Sequence, residues 1–118
     1  MTHIDLPYTS PPLSLNDRLH WAAKARLVAT VRTATHALAR TAKVQHVERA
    51  TVTLHYRQRA RRAIDKDNLF ATLKPCIDGL RDAGVLDEDD STRVEPRVEI
   101  HAPIKGQGGA LWLTVEPL

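Results

Sequence analysis

Asp65 and Asp67, one residue apart in the run RRAIDKDNLF, are the side chains best suited by type and spacing to hold a divalent cation. If the chain stays extended through this run, carboxylates two residues apart project from one face and can share a hard ion. Residues 64–90 contain seven aspartates and one glutamate, in a chain whose 17 Lys+Arg and 14 Asp+Glu give a formal net charge of +3. The run DEDDS at 87–91 is the source of a third carboxylate, brought back by the helical pattern in between. The same acids have an ordinary structural use: Asp67 as a helix cap, Asp65 as a partner for Arg61 or Arg62, and DEDDS as a solvated turn. A calcium loop is excluded, because the position that needs Gly holds Phe70 when counted from Asp65 and Thr92 when counted from Asp87.

Arg57, Arg59, Arg61 and Arg62 lie just before the acids and suit the phosphates of a polyanion. If metal neutralises three aspartates, 17 cationic side chains face the remaining 11 carboxylates, a balance of +6. A basic edge strand that deters aggregation is the alternative use of these arginines. Lys74 follows Asp67 by seven residues, nearly the same azimuth on a regular helix, where its ammonium would face a phosphate held by the acids. Asp78, one turn further, is its alternative partner.

The elements that must position these groups are legible in the periodicity. HIDLPY reads as a first strand, and TSPPLSLN as a turn-rich segment. Leu19, Ala23, Leu27, Val31, Ala34 and Leu38 recur at helical spacing from about Asp17 to Arg40, with Asn16 or Asp17 as the cap. Residues 50–57 alternate as a half-buried strand. A second helix runs through Leu69, Leu73, Cys76, Ile77 and Leu80 to a left-handed cap at Gly84, with a kink or a pair of abutting helices expected at Pro75. Val94, Val98 and Ile100 mark another strand, KGQGG a hairpin turn, and ALWLTVEP the returning strand. The expected fold is α+β, one domain over residues 1–118, with a mixed β-sheet packed with two helices in the order β-α-β-α-β-β.

Other chemistries are poorly supported. The lone Cys76 has no disulfide partner, and the six histidines show no spacing typical of zinc, so each is expected to serve locally. There is no Gly-rich phosphate loop and no G-x-S-x-G elbow. Trp21 and Trp112 are expected in the core, whereas Phe70, beside the acids, is either a core aromatic or a contact for an unpaired base. No apolar run is long enough to span a bilayer and no basic-then-apolar leader opens the chain, so no membrane association and a cytoplasmic location are expected.

The run RRAIDKDNLFATLKPCIDGL followed by AGVLDEDDSTRVE resembles the RusA-type family of Holliday junction resolvases, whose pattern is a basic run, D-x-D-N-L, a helical lysine, D-x-L, then G and a D-D pair opening a strand. LPYTSPPLSLND is similar to the family's proline-rich opening and HAPIKGQGGALWLTVE to its closing hairpin, so the resemblance spans nearly the whole chain. It implies Asp65, Asp67 and Asp90 as ligands of Mg²⁺ or Mn²⁺, with Asp89 in reserve for Asp90. It also implies Lys74 as the catalytic lysine, across a gap from D-N-L longer by about one helical turn than the family's usual one. The implied activity is metal-dependent hydrolysis of four-way junctions or related branched DNA, leaving a 5′ phosphate and a 3′ hydroxyl. A homodimer in a bacterial host, encoded by the host or by a phage or prophage, is the implied setting. Two alternatives stay open: a metal nuclease with broader flap and fork specificity, and a branched-DNA-binding module without catalysis.

Overall fold

Strand β2 (Ala50–Arg57) organises the molecule, because Ala50, Val52 and Leu54 are fully buried and Thr51 and Thr53 nearly so. A strand buried on both faces needs a neighbour along each edge. In the computed structural model, which describes residues 1–15, 18–87 and 93–118, those neighbours are β3 (Val94–His101), parallel to β2, and β4 (Ala110–Pro117), antiparallel to it. Strand β1 (Thr2–Asp5) pairs antiparallel with β4, giving the order β1-β4-β2-β3. With α1 (Trp21–Thr41) and α2 (Phe70–Asp82) the chain is a small α+β domain in the order β-α-β-α-β-β.

The expected hairpin between the last two strands does not form. KGQGG does turn, with Gly106 at φ 80° and the Gln107 amide donating to the Ile104 carbonyl at 3.0 Å. Residues 102–109 nevertheless carry the chain past β2, so that β4 lies on the far side of β2 from β3. A tight hairpin would have left one edge of the most apolar strand uncovered. β3 takes the outer place, where Pro96, which has no N–H to offer a ladder, is tolerated.

Alternation sends Val52, Leu54 and Tyr56 of β2, Leu111, Leu113 and Val115 of β4, Ile4 of β1 and Val98 of β3 into one core with Val31 and Ala39 of α1 and Leu73, Cys76, Ile77 and Leu80 of α2. The helices approach closely at Gly79, where a β-carbon would stand 2.5 Å from the Arg32 carbonyl oxygen and 2.8 Å from Thr35 Cβ. Arg32 also clasps Asp82 through two hydrogen bonds, at 2.6 and 2.8 Å, and this donor pair holds the Asp82 carboxyl below its usual range.

Helix α1 starts later than its periodicity suggests. His20 is the cap, its Nδ1 accepting from the Ala22 amide at 3.2 Å, while Asn16 and Asp17 lie outside the described residues. Trp21, the first helical residue, is 77% exposed, which corrects its expected place in the core. Helix α2 runs unbroken through Pro75; the change of helix type falls instead at Leu69, where a 3-10 helix (Lys66–Leu69) hands over to α2. Proline has helical φ and forfeits one bond, to the Ala71 carbonyl, and burial of its ring offsets that loss. Gly84, at φ 80°, ends the helical region as expected. Among the described residues no helix is long and apolar enough to cross a membrane.

The proline-rich opening is fastened to the start of α2. The buried Thr72 hydroxyl donates to the Leu13 carbonyl at 2.7 Å and accepts from the Leu13 amide at 3.2 Å, and the Leu15 amide donates to the Asn68 carbonyl at 3.3 Å. Thr72→Val keeps the shape but strands both Leu13 groups, so a loss of about 1–3 kcal/mol in urea unfolding is expected; an unchanged midpoint would show that water replaces the hydroxyl.

Candidate functional site

The acids do not sit on an extension of β2. That strand ends at Arg57, residues 58–64 run without regular structure, and Asp65 and Asp67 fall at the opening of the 3-10 helix. A local hydrogen bond gathers them there: Asp65 is the cap, its Oδ1 accepting from the Asp67 amide at 3.0 Å. Short acidic side chains close such turns readily. The expectation of one shared strand face is thus corrected, and the capping role foreseen for Asp67 belongs to Asp65.

Both carboxylates are exposed. Asp65 keeps its second oxygen, and the Asp67 carboxylate makes no hydrogen bond or ion pair among the described residues. Hard oxygen donors open to solvent on one turn fit an Mg²⁺- or Mn²⁺-class ion that retains several waters. Asp90 and Asp89 lie outside the described residues. Asp87, the first acid of DEDDS, is engaged elsewhere, with His46 at 2.8 Å and Arg93 at 3.2 Å.

Two shallow grooves flank this turn and share Lys66 and Glu99. One, of about 420 Å³, is lined by Lys66, Asp67, Phe70, Pro96, Arg97 and Glu99. Phe70 packs against the core, the structural role foreseen for it, and its ring also lines this groove. The other, of about 470 Å³, carries Arg62, Lys66, Glu99 and His101. Arg62 continues with Arg59 into a third depression of about 560 Å³, beside Thr9, Ser10 and residues 107–109. Gly109 makes that approach feasible, since any β-carbon there would overlap the Thr9 carbonyl.

The four arginines therefore divide. Arg59 and Arg62 line grooves and Arg61 is exposed, whereas Arg57 donates to the Gly108 carbonyl at 3.2 and 3.4 Å and steadies the loop. Lys74 holds Asp78 at 2.9 Å, the helical partner foreseen for it, and makes no hydrogen bond or ion pair with Asp65 or Asp67. It lines a separate depression with Ile77, Arg81, Val94 and Pro96.

The sequence reading missed a second cluster, on the sheet face opposite the core. His55 faces Glu99 across the β2–β3 ladder and Arg57 faces His101, so His55, Glu99 and His101 converge. His55 Nδ1 lies 2.8 Å from His101 Nε2 and 3.5 Å from Glu99 Oε2. Trp112, half-buried on this face rather than in the core, stacks on His55 with ring centroids 5.1 Å apart. Alternation within each strand was visible; the register that joins them was not. Cys76 is buried, and that burial pushes its thiol up to about 11.

The fold and site define a two-helix α+β domain that bears an acidic turn between two grooves of mixed charge. No family model matches the chain, and no curated protein sequence matches it.

Proposed function

We propose that the chain is a metal-dependent, structure-selective endodeoxyribonuclease that resolves Holliday junctions or related branched DNA, working as a homodimer in the bacterial cytoplasm on behalf of the host or of a phage. The observation that carries this reading is the exposed Asp65–Asp67 pair on one turn, flanked by grooves that carry Arg62 and Lys66, with Arg59 in the depression beyond. The resemblance of the acidic and basic runs to RusA-type resolvases supports it.

Asp65, Asp67 and Asp90 are the residues that would hold the ion. When bound, Mg²⁺ or Mn²⁺ supplies an activated water and offsets charge on the phosphate oxygens. Arg59, Arg61 and Arg62 engage backbone phosphates, and Arg57 serves DNA through the loop it steadies. Lys74 releases Asp78 to meet the scissile phosphate. In a two-fold dimer the paired sites address opposite strands.

The exposed Lys74–Asp78 pair adds little to the fold, so Lys74→Ala is expected to change stability by no more than about 1 kcal/mol. Loss of its charge at the transition state is expected to slow cleavage by roughly 10²-fold. Urea unfolding and single-turnover cleavage read the two effects separately, and unimpaired cleavage would remove Lys74 from the site.

A non-catalytic branched-DNA-binding module is the second reading, favoured by the structural employment of Asp65 as a cap and Lys74 as a partner of Asp78. Labelled four-way junction, flap and linear duplex incubated with Mg²⁺, Mn²⁺ or EDTA decide between them. Paired, metal-dependent nicks confined to the junction are the expected result. Equal cutting of flaps indicates the broader nuclease, and salt-sensitive binding without any cut sinks the catalytic reading.

A further inference from the structure

We propose that His55, Glu99 and His101 form a transition-metal site of the Zn²⁺ class, separate from the acidic turn, with a coordination position left open toward the groove of Arg62 and Lys66. It stands independently of the nuclease reading.

Three ligand atoms already converge. His55 Nδ1 and His101 Nε2 are 2.8 Å apart, and Glu99 Oε2 stands 3.5 Å from the first and 3.9 Å from the second. Ligands about 2.0–2.1 Å from a tetrahedral zinc are separated from one another by roughly 3.3 Å. The triangle is close to that size, but the ring centroids stand 5.1 Å apart with the two nitrogens facing head-on, so ligation requires both imidazoles to part and turn toward a common point and the carboxylate to close in. Without metal, two ring nitrogens at this distance must share a proton, one donating to the other's lone pair; a cation between them replaces that proton.

The surroundings suit ligation. His55 Nε2 stands 2.9 Å from the Thr114 hydroxyl, a contact that assigns the ring's proton to Nε2 when it donates there and turns Nδ1 toward the cluster as a ligand. Two imidazoles and a carboxylate select Zn²⁺, Co²⁺ or Ni²⁺ over Mg²⁺, the reverse of the preference at the oxygen-only acidic turn.

Glu99 and His101 line the groove that also holds Arg62 and Lys66. Three protein ligands leave a fourth position on zinc. Two nearby cations favour an anionic occupant there, a phosphate or a carboxylate.

Trp112 supplies the readout, because its ring centroid lies 5.1 Å from that of His55 and 5.0 Å from that of His101. In a Trp21→Phe background, Co²⁺ is titrated into the protein while Trp112 fluorescence is followed, and Zn²⁺ affinity is measured by calorimetry. The expected result is one-to-one binding with quenching by Co²⁺ that excess Mg²⁺ does not reverse. His101→Ala and Glu99→Gln, both at partly or fully exposed positions and checked by circular dichroism, should each weaken Zn²⁺ binding by at least tenfold. Asp67→Asn should leave it unchanged. Binding that survives in folded His101→Ala, that disappears only in Asp67→Asn, or that is absent from the parent protein overturns the site.

Discussion

Asp67→Asn is expected to reduce metal-dependent junction cleavage by at least about 10²-fold, since even groups one step removed from a metal commonly contribute 10–100-fold. The substitution is isosteric and the carboxylate it replaces is exposed, so the fold has little to lose. The Asp67 amide still donates to Asp65, and its carbonyl still accepts from the Phe70 amide. Circular dichroism and the urea midpoint should match the parent. Junction binding in EDTA should persist, because the variant removes a negative charge from a surface that receives phosphates. Wild-type cleavage by the folded variant would exclude Asp67 as a ligand and return the acidic turn to a purely structural role.

Gly79→Ala is expected to lower stability through packing, not through a lost hydrogen bond. Helix propensity alone argues for a gain, since alanine is favoured over glycine by up to about 1 kcal/mol in a helix interior. Packing argues the other way and dominates. The added methyl would stand 2.5 Å from the Arg32 carbonyl oxygen and 2.8 Å from Thr35 Cβ, and backbone cannot rotate aside as a flexible side chain can. Overpacking of this kind costs about 1–3 kcal/mol and sometimes more. Parting the helices would also strain the Arg32–Asp82 clasp. We expect a net loss of about 2 kcal/mol, seen as a urea midpoint lowered by roughly 1 M at an unchanged slope. A midpoint equal to or above that of the parent would mean that α1 shifts at little cost.

The elements were legible where one residue's neighbours along the chain decide its state. Val52, Leu54 and Tyr56 alternate so regularly that β2 has the bounds read from the sequence, Ala50–Arg57. A pair of helices abutting at Pro75 does not occur, because the rule against proline in helices weighs a lost hydrogen bond and omits the burial of the ring within α2. Strand order was hidden for a different reason. KGQGG turns in either topology, and what separates β4 from β3 is the demand of β2 for cover on both edges. The acids were recognisable by type, but their shared geometry depends on where β2 stops and on one side-chain bond from Asp65. His55 and His101 stand 46 positions apart, and only the parallel register of β2 and β3 makes them neighbours.

The bond from the Asp67 amide to Asp65 Oδ1 has a thermodynamic consequence. It closes the turn on which the 3-10 helix begins, so any cation that draws on Asp65 also bears on where that helix starts. Occupancy and local order then become two faces of one equilibrium. A cation that takes the free oxygen leaves the bond intact and slows solvent exchange of the Asp67 amide; one that takes Oδ1 releases the amide and quickens it. A single backbone proton thus records both the arrival of the ion and the oxygen that receives it.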